Sequence, residues 1–310
     1  MVVLVTGGCG FIASNFINTL RDIDIINIDK LTYCSNVQNI TNPRCETVIG
    51  DITNRELITY LIKKYSFTTV FHFAAESHVD NSFGDPVSFT VNNTVGTHIL
   101  IDSFKIHQPN IEFIHFSTDE VYGENKTGVG FTEETVLNPT NPYAASKAAA
   151  EMIVQSYIKS FGMNIKIIRC NNAYGPNQYP EKLIPKFIKI LKSGKKCTIH
   201  GTGSVKRSFI HVDDICSAVI TIWKKAPKGE IYNISSDYEY SVMDITKLII
   251  KNIVGHERYD ECIEYIPDRP FNDESYLNDC SKLISLGWKQ TKDFKSLEEF
   301  IITQLKDVTV

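Results

Sequence analysis

Through the first 170 residues, short apolar runs alternate with segments in which apolar residues recur every three or four positions. The runs at 2–5, 25–28, 47–49, 70–73, 111–116 and 165–168 read as buried strands. The segments near 11–21, 54–65, 88–107 and 143–161 read as amphipathic helices. Strand, helix, strand repeated in this way predicts parallel strands with crossover helices on both faces, an α/β doubly wound sheet.

Beyond Tyr174, Gly175 and Pro176 the alternation loosens, with turn signals at Pro180, Gly194, Gly201 and Gly203. Helical spacing returns near 181–193, 212–226, 241–254 and 294–306, and 209–211 and 231–234 look like short strands. We expect residues 1–175 to form a dinucleotide-binding domain to which 206–235 returns. Residues 176–310 are then mainly a smaller, interleaved substrate-binding region.

Composition narrows the partners. Of 310 residues, 43% are hydrophobic and 22% charged, ordinary globular usage that argues against disorder or a fibrous repeat. A net charge of -4 offers no global attraction to nucleic acid or anionic lipid, so any phosphate partner is expected to be small. No apolar run approaches the length of a membrane span, and no basic segment precedes the opening apolar stretch, so a cytoplasmic protein is expected. The eight cysteines contain no Cys-x-x-Cys pair and no zinc-type histidine spacing. They predict reduced thiols and no metal.

The first run leads into a turn with Gly7 and Gly10, followed by Phe11, Ile12 and Ala13. Glycine allows the backbone to approach a diphosphate closely, and the helix that follows points free amides and its positive dipole end at the phosphates. The triplet alone is also what any tight turn uses. Asp29, about 20 residues on at the end of the next run, adds a carboxylate placed to bind both adenosine ribose hydroxyls and to repel a 2′-phosphate, which favours NAD over NADP. A strand-end turn residue is the other reading, and Lys30 beside it weakens the choice. Gly50, Asp51 and Ile52 offer an edge for adenine, on a dipeptide common to many turns.

Asn141 and Pro142 form a helix start, with Asn141 as cap and Pro142 at the first helical position. Tyr143 and Lys147, four residues apart, then stack on one face. A phenol titrating near 10 is a poor base at neutrality. Bringing it to about 7 requires about 4 kcal/mol of preferential stabilisation of phenolate, which Lys147 and a cationic nicotinamide ring are suited to supply. A surface helix carrying a tyrosine and a lysine has the same spacing. Thr118, Asp119 and Glu120 follow the fifth run at the carboxyl edge, where open α/β sheets bind ligands. The threonine suits a sugar hydroxyl, and the adjacent carboxylates suit proton removal and donation on one substrate. A solvated acidic turn is the alternative.

Assembled, these segments resemble the extended short-chain dehydrogenase/reductases, and within them the nucleoside-diphosphate-glucose 4,6-dehydratases, over essentially the full chain. The resemblance is carried by 6–12, 29–33, 74–80, 117–123 and 143–147. It continues at Arg169, Asn172, 174–176, 180–185 and 268–270. It implies a Rossmann-type domain and a three-step reaction with tightly held NAD. Tyr143, helped by Thr118 and Lys147, takes the proton of the carbon 4 hydroxyl as hydride leaves that carbon. Glu120 then takes the proton of carbon 5, Asp119 protonates the departing carbon 6 hydroxyl, and hydride returns to carbon 6.

The resemblance further implies cofactor contacts at Lys30, Leu31, Thr32, Ala74, Ala75, Ser77 and Asn92. On the sugar-nucleotide side it implies Ser77, Asn172, Glu181, Lys182, Leu183, His200, Arg207, Asn233, Arg269 and Asn272. At 81–84, 199–201 and 269–273 the chain is closer to the UDP-glucose dehydratase modules of rhamnose synthesis. His200 and the Phe271-Asn272 pair depart from the dTDP-glucose enzymes, and Ala13 departs from the usual third glycine. UDP-glucose is the expected substrate and dTDP-glucose the alternative. A UDP-sugar 4-epimerase and a non-catalytic NAD-binding module are the competing readings, and a homodimer is expected from the family.

Overall fold

In the computed structural model, which describes residues 1–236, 238–267, 273 and 275–306, the alternating first half becomes β1 (Val2–Thr6), β2 (Asp24–Asp29), β3 (Cys45–Ile49), β4 (Phe67–His72), β5 (Glu112–Thr118) and β6 (Asn164–Cys170). The less regular half supplies β7 (Asn172–Tyr174), β8 (Cys197–His200), β9 (Lys206–His211), β10 (Ile231–Ile234), β11 (Glu239–Ser241) and β12 (Ile263–Ile266). Seven strands pair in the order β10-β6-β5-β4-β1-β2-β3, every pair parallel. From β1 the chain winds outward through β2 and β3, then crosses to β4 on the other side. The carboxyl ends of β1 and β4 therefore flank the switch point at which such sheets bind ligands.

The sheet is buried on both faces, so its strands read as continuous apolar runs. Their alternate side chains enter different cores. Val3 and Val5 join Phe16 and Ile17 of the helix Phe11–Thr19 and Ile215, Val219 and Ile222 of the helix Val212–Lys225. Leu4 points the other way, to Ile58, Leu61, Leu100, Phe104 and Val154. A third cluster joins Ile184, Phe187 and Leu191 to Ile245, Ile249, Leu297 and Ile301, between the helices Leu183–Lys192, Val242–Val254 and Phe294–Lys306.

Two local features differ from the pattern-based expectation. Strand β9 does not join the main sheet. It lies between β7 and β11 in a separate three-stranded sheet; of residues 206–235 only β10 pairs into the central sheet, while Ile210 of β9 and the helix Val212–Lys225 pack in the core on its face. Apolar alternation gave the strand but not its partner. The helical stretch 88–107 widens into a π-helical turn at Thr90–Val95 before continuing as Gly96–His107, and the site draws on that turn through Asn92 and Asn93.

Candidate active site

Gly7 closes the turn after β1 with a positive φ of 72°, and a Cβ there would lie 2.7 Å from the Ala74 Cα. Only glycine lets the ends of β1 and β4 meet this closely. The helix starting at Phe11 has Gly10 as its cap and no side chain bonded to its first amides, leaving them to an anion. The Asp29 carboxylate ties the loop to β2: Cys9 N donates to Oδ2 at 2.9 Å, and Leu31 N donates to Oδ1 at 2.8 Å. With the Ser35 hydroxyl at 3.2 Å, three of its roughly four acceptor sites are used, and the carboxylate lines the cleft above. This cradle fits a dinucleotide. Burial pushes the Cys9 thiol up to about 11, so its role in the loop is its size.

On the far wall of the switch point, the π-turn places two asparagines in succession. Asn92 Oδ1 accepts from Lys30 Nζ at 2.6 Å, and Lys30 also pairs with Glu76 at 3.1 Å. Asn93, fully buried, accepts from Glu76 N and donates to the Glu76 carbonyl and the Ser146 hydroxyl, locking the segment after β4 against the helix Pro142–Phe161.

That helix is capped by Asn141, whose Oδ1 accepts from Ala144 N at 2.8 Å. The other end of the same amide donates to Glu120 Oε2 at 2.9 Å. Tyr143 and Lys147 are both buried, but their side chains do different things. Lys147 Nζ donates to the Phe116 carbonyl at 2.6 Å, and burial lowers it to about 8. The Tyr143 phenol is raised, by burial first and by the Glu120 carboxylate second, with the Thr118 hydroxyl acting in the opposite direction. The expected lowering of this phenol is thus not produced by the chain's own groups. Desolvation and the two nearby carboxylates set its direction, while the Lys147 ammonium is directed at the Phe116 carbonyl.

The acid pair sits in the 3-10 turn Asp119–Tyr122 that ends β5, started by Thr118, whose hydroxyl donates to Asp119 Oδ1 at 3.2 Å. Asp119 is 2% exposed. Burial, then the neighbouring Glu120 charge, pushes it up to about 8, while Glu120 is raised mainly by burial. Below the turn, Tyr122 donates to Asn233 Oδ1 at 2.8 Å and accepts from Arg169 NH1 at 2.7 Å. Arg169 in turn pairs with Glu151 of the Tyr143 helix, both fully buried. A strap at 275–279 crosses over the turn, bridged at Asn278 to Phe131.

These parts line one cleft of about 500 Å³. It collects Gly7, Gly10, Phe11, Ile12, Asp29, Lys30, Thr32, Asp51, Ile52, Ala74, Ala75, Ser77 and Asn92 along one arm. Thr118, Asp119, Glu120, Tyr143 and Lys147 lie at its centre, and Asn172, Glu181, Lys182, Leu183, His200 and Arg207 along the other arm. Leu31 is not on the wall; it takes a left-handed φ of 57° and uses its amide to hold Asp29. Asn233 is not a cleft residue either. It is 0% exposed, and its amide is spent on Tyr122 and on the Phe131 and Asp279 carbonyls. Arg269 and Asn272 lie outside the described residues.

Sequence reasoning missed Tyr276 and Asp273, which line the cleft. Tyr276 donates to Asp273 and stacks under the Arg207 guanidinium at 4.7 Å. The Arg207 charge also works to lower both Asp119 and Glu120. It also missed Asn141 as the partner of Glu120. The cap signal was visible there, but the second bond depends on how the helix meets the turn. Among the described residues no cluster of potential metal ligands occurs, and all eight cysteines are free.

The profile of the GDP-mannose 4,6 dehydratase family matches residues 4–300. The chain is 43% identical to the trifunctional UDP-glucose 4,6-dehydratase/UDP-4-keto-6-deoxy-D-glucose 3,5-epimerase/UDP-4-keto-L-rhamnose-reductase of Arabidopsis thaliana, over 94% of this chain and 45% of that protein. It therefore spans about half the length of the first relatives it matches. It is 41% identical to a dTDP-D-glucose 4,6-dehydratase of Dictyostelium discoideum, over 93% of this chain and 78% of that one. Among solved structures, the dTDP-glucose 4,6-dehydratase of Streptomyces venezuelae, determined with NAD bound, superposes with a TM-score of 0.91 at 34% identity. The match covers 97% of this chain and 96% of that one.

Proposed function

Because the chain belongs to the GDP-mannose 4,6-dehydratase family, we propose that it is a hydro-lyase converting UDP-glucose to UDP-4-keto-6-deoxy-glucose with tightly held NAD regenerated in each turnover. One observation carries this reading. Two adjacent carboxyls, buried Asp119 and half-buried Glu120, follow β5 on the wall that Tyr143 also lines, and Asp119 is pushed up to about 8. Oxidation and reduction at carbon 4 alone, as an epimerase performs, has no use for an acid and a base together, whereas elimination needs both.

Bound NAD would accept the hydride of carbon 4 and return it to carbon 6, and its positive ring would favour the phenolate that Tyr143's own surroundings disfavour. Gly7, Gly10, Phe11 and Ile12 would hold its diphosphate, Asp29 its ribose, and Asp51 and Ile52 its adenine. Lys30, Thr32, Ala74, Ala75, Ser77 and Asn92 complete that wall. Tyr143, with Thr118, removes the carbon 4 hydroxyl proton. Glu120, oriented by Asn141, removes the proton of carbon 5, made acidic by the ketone beside it. Asp119 gives its proton to the carbon 6 hydroxyl, which departs as water; as hydride adds to carbon 6, Glu120 returns its proton to carbon 5, and exchange with solvent then moves a proton off Tyr143 and back onto Asp119. Asn172, Glu181, Lys182, Leu183, His200 and Arg207 hold the nucleotide sugar, with the Arg207 cation suited to its diphosphate.

The Arabidopsis relative's name supports UDP-glucose; the Dictyostelium and Streptomyces relatives favour a second reading, dTDP-glucose. Incubation with each separately, with products identified by mass, decides between them. A product lighter by one water from one of them is expected. An isomer of unchanged mass would replace this reading by epimerisation.

Residues 1–175 with the returning helix and β10 form the cofactor domain in this reading, and the remainder the nucleotide-sugar region. A homodimer is supported by Val87, Val91 and Val95, exposed at four-residue spacing, and by exposed Met152 and Phe161 on the Tyr143 helix, which packs against the π-turn. Cytoplasmic location is supported by the free thiols; no described helix is long and apolar enough to cross a membrane.

A further inference from the structure

Asn278 lies about 160 residues from Asp119 in sequence, yet its Nδ2 donates to Asp119 Oδ2 at 3.4 Å. Both residues are buried, and the Asn278 Oδ1 atom is also buried with no hydrogen-bond partner among the described residues. A buried acceptor left unpartnered in a native fold calls for an explanation. The backbone around it is pinned. Phe131 N donates to the Leu277 carbonyl and Asp279 N to the Phe131 carbonyl, both at 2.9 Å, so the main chain on either side of Asn278 is held while its amide retains rotation about one bond.

The bonds on Asp119 supply the explanation. The Thr118 hydroxyl donates to Oδ1, so the proton of the neutral acid sits on Oδ2, the oxygen that faces Asn278. There an N–H would confront an O–H, donor against donor. A half-turn of the amide brings the unpartnered Oδ1 to that proton instead. Once the proton has gone to a leaving hydroxyl, Oδ2 is a carboxylate oxygen and needs the N–H again.

We propose that Asn278 is a positioning residue for Asp119, its amide serving the carboxylate through Nδ2 and the neutral acid, after a half-turn, through Oδ1. The catalytic consequence rests on the dehydratase reading; the pairing itself does not. Burial that keeps Asp119 protonated up to about 8 makes both states accessible near neutrality.

The test uses Asn278→Leu, which keeps the volume and removes the amide. The infrared carbonyl stretch of the neutral Asp119 carboxyl, identified by its loss in Asp119→Asn, is followed against pH. In Asn278→Leu the band should move to higher frequency, because the acid proton has lost its acceptor. Its titration midpoint should rise, because both bonds are lost and the one to the charged carboxylate is the stronger. Asn278→Ser, whose hydroxyl both donates and accepts, should stay closer to the parent protein. An unchanged band and midpoint in Asn278→Leu, even with lowered thermal stability, overturns the proposal.

Turnover of UDP-glucose reads the catalytic side. Complete loss of an acid costs about 10²–10⁴ in rate, and a misaligned one part of that, so kcat should fall about tenfold while KM stays, since the amide touches the acid and not the sugar. An unchanged kcat overturns the positioning role. A parent protein that releases no water from either nucleoside-diphosphate glucose ends the dehydratase reading, and the infrared titration still decides the pairing.

Discussion

Asn141 holds Glu120 with one end of its amide, at 2.9 Å from Nδ2 to Oε2, and caps the helix of Tyr143 and Lys147 with the other. The helix start and the proposed base of the elimination are thereby fixed by a single side chain. Replacing it separates two effects. Asn141→Ala should cost about 1 kcal/mol of stability as a lost cap. Asn141→Asp should retain the cap yet set a second charge against Glu120. Urea denaturation should rank Asp above Ala, whereas the mass-resolved product assay should find both nearly inactive. Full activity in Asn141→Asp would remove Glu120 from the role given to it.

Glu120→Gln should stop water loss by at least about 10²-fold while hydride transfer to bound NAD proceeds, since oxidation at carbon 4 precedes the step that needs Glu120. Single-turnover absorbance of the reduced nicotinamide is the measurement. Dehydration at the parent rate would be incompatible with this assignment.

Activity should fall on the alkaline side as Asp119, held up to about 8 by burial and by Glu120, loses the proton it must donate. Stability carries the same sign. A carboxyl raised in the folded state binds its proton more tightly there than in the unfolded chain. The stabilisation is complete below the ordinary carboxylate range and is lost as pH rises through about 8. Denaturation midpoints measured across this window should decline, and Asp119→Asn should flatten that decline.

Arg169 and Glu151 join β6 to the Tyr143 helix and, through Tyr122, to the acid turn. Arg169→Met strands a fully buried carboxylate and should cost about 3–5 kcal/mol; adding Glu151→Leu should recover most of it. Chemical denaturation of the two singles and the double gives the coupling directly. A lack of recovery would mean that the pair's other bonds, to Tyr122 and the Glu133 carbonyl, dominate.

Gly7→Ala places a methyl 2.7 Å from the Ala74 Cα at a φ of 72°. Strain of this kind costs about 1–3 kcal/mol. NAD titration should show weaker binding than in Gly10→Ala, where the added carbon meets only the Gly7 carbonyl, at 3.2 Å.

What the chain's sequence determined by itself was what short-range physics encodes. Apolar periodicity specifies a strand or a helix within a few residues. A glycine turn after a buried strand, with a carboxylate closing the next strand, points to a dinucleotide cradle. An Asn-Pro start specifies a helix, and with it the common face of Tyr143 and Lys147. The doubly wound sheet and the place of the acid pair at its carboxyl edge were legible for that reason. Tertiary structure alone decided the partners. Strand β9 left the central sheet for β7 and β11, Asn233 was consumed under the acid turn, Lys147 went to the Phe116 carbonyl, and Asn278 came to Asp119 from the far end of the chain. Periodicity reports which face of an element avoids water, but not which other element covers it. A hydrogen bond between residues remote in sequence exists only once packing has fixed both ends.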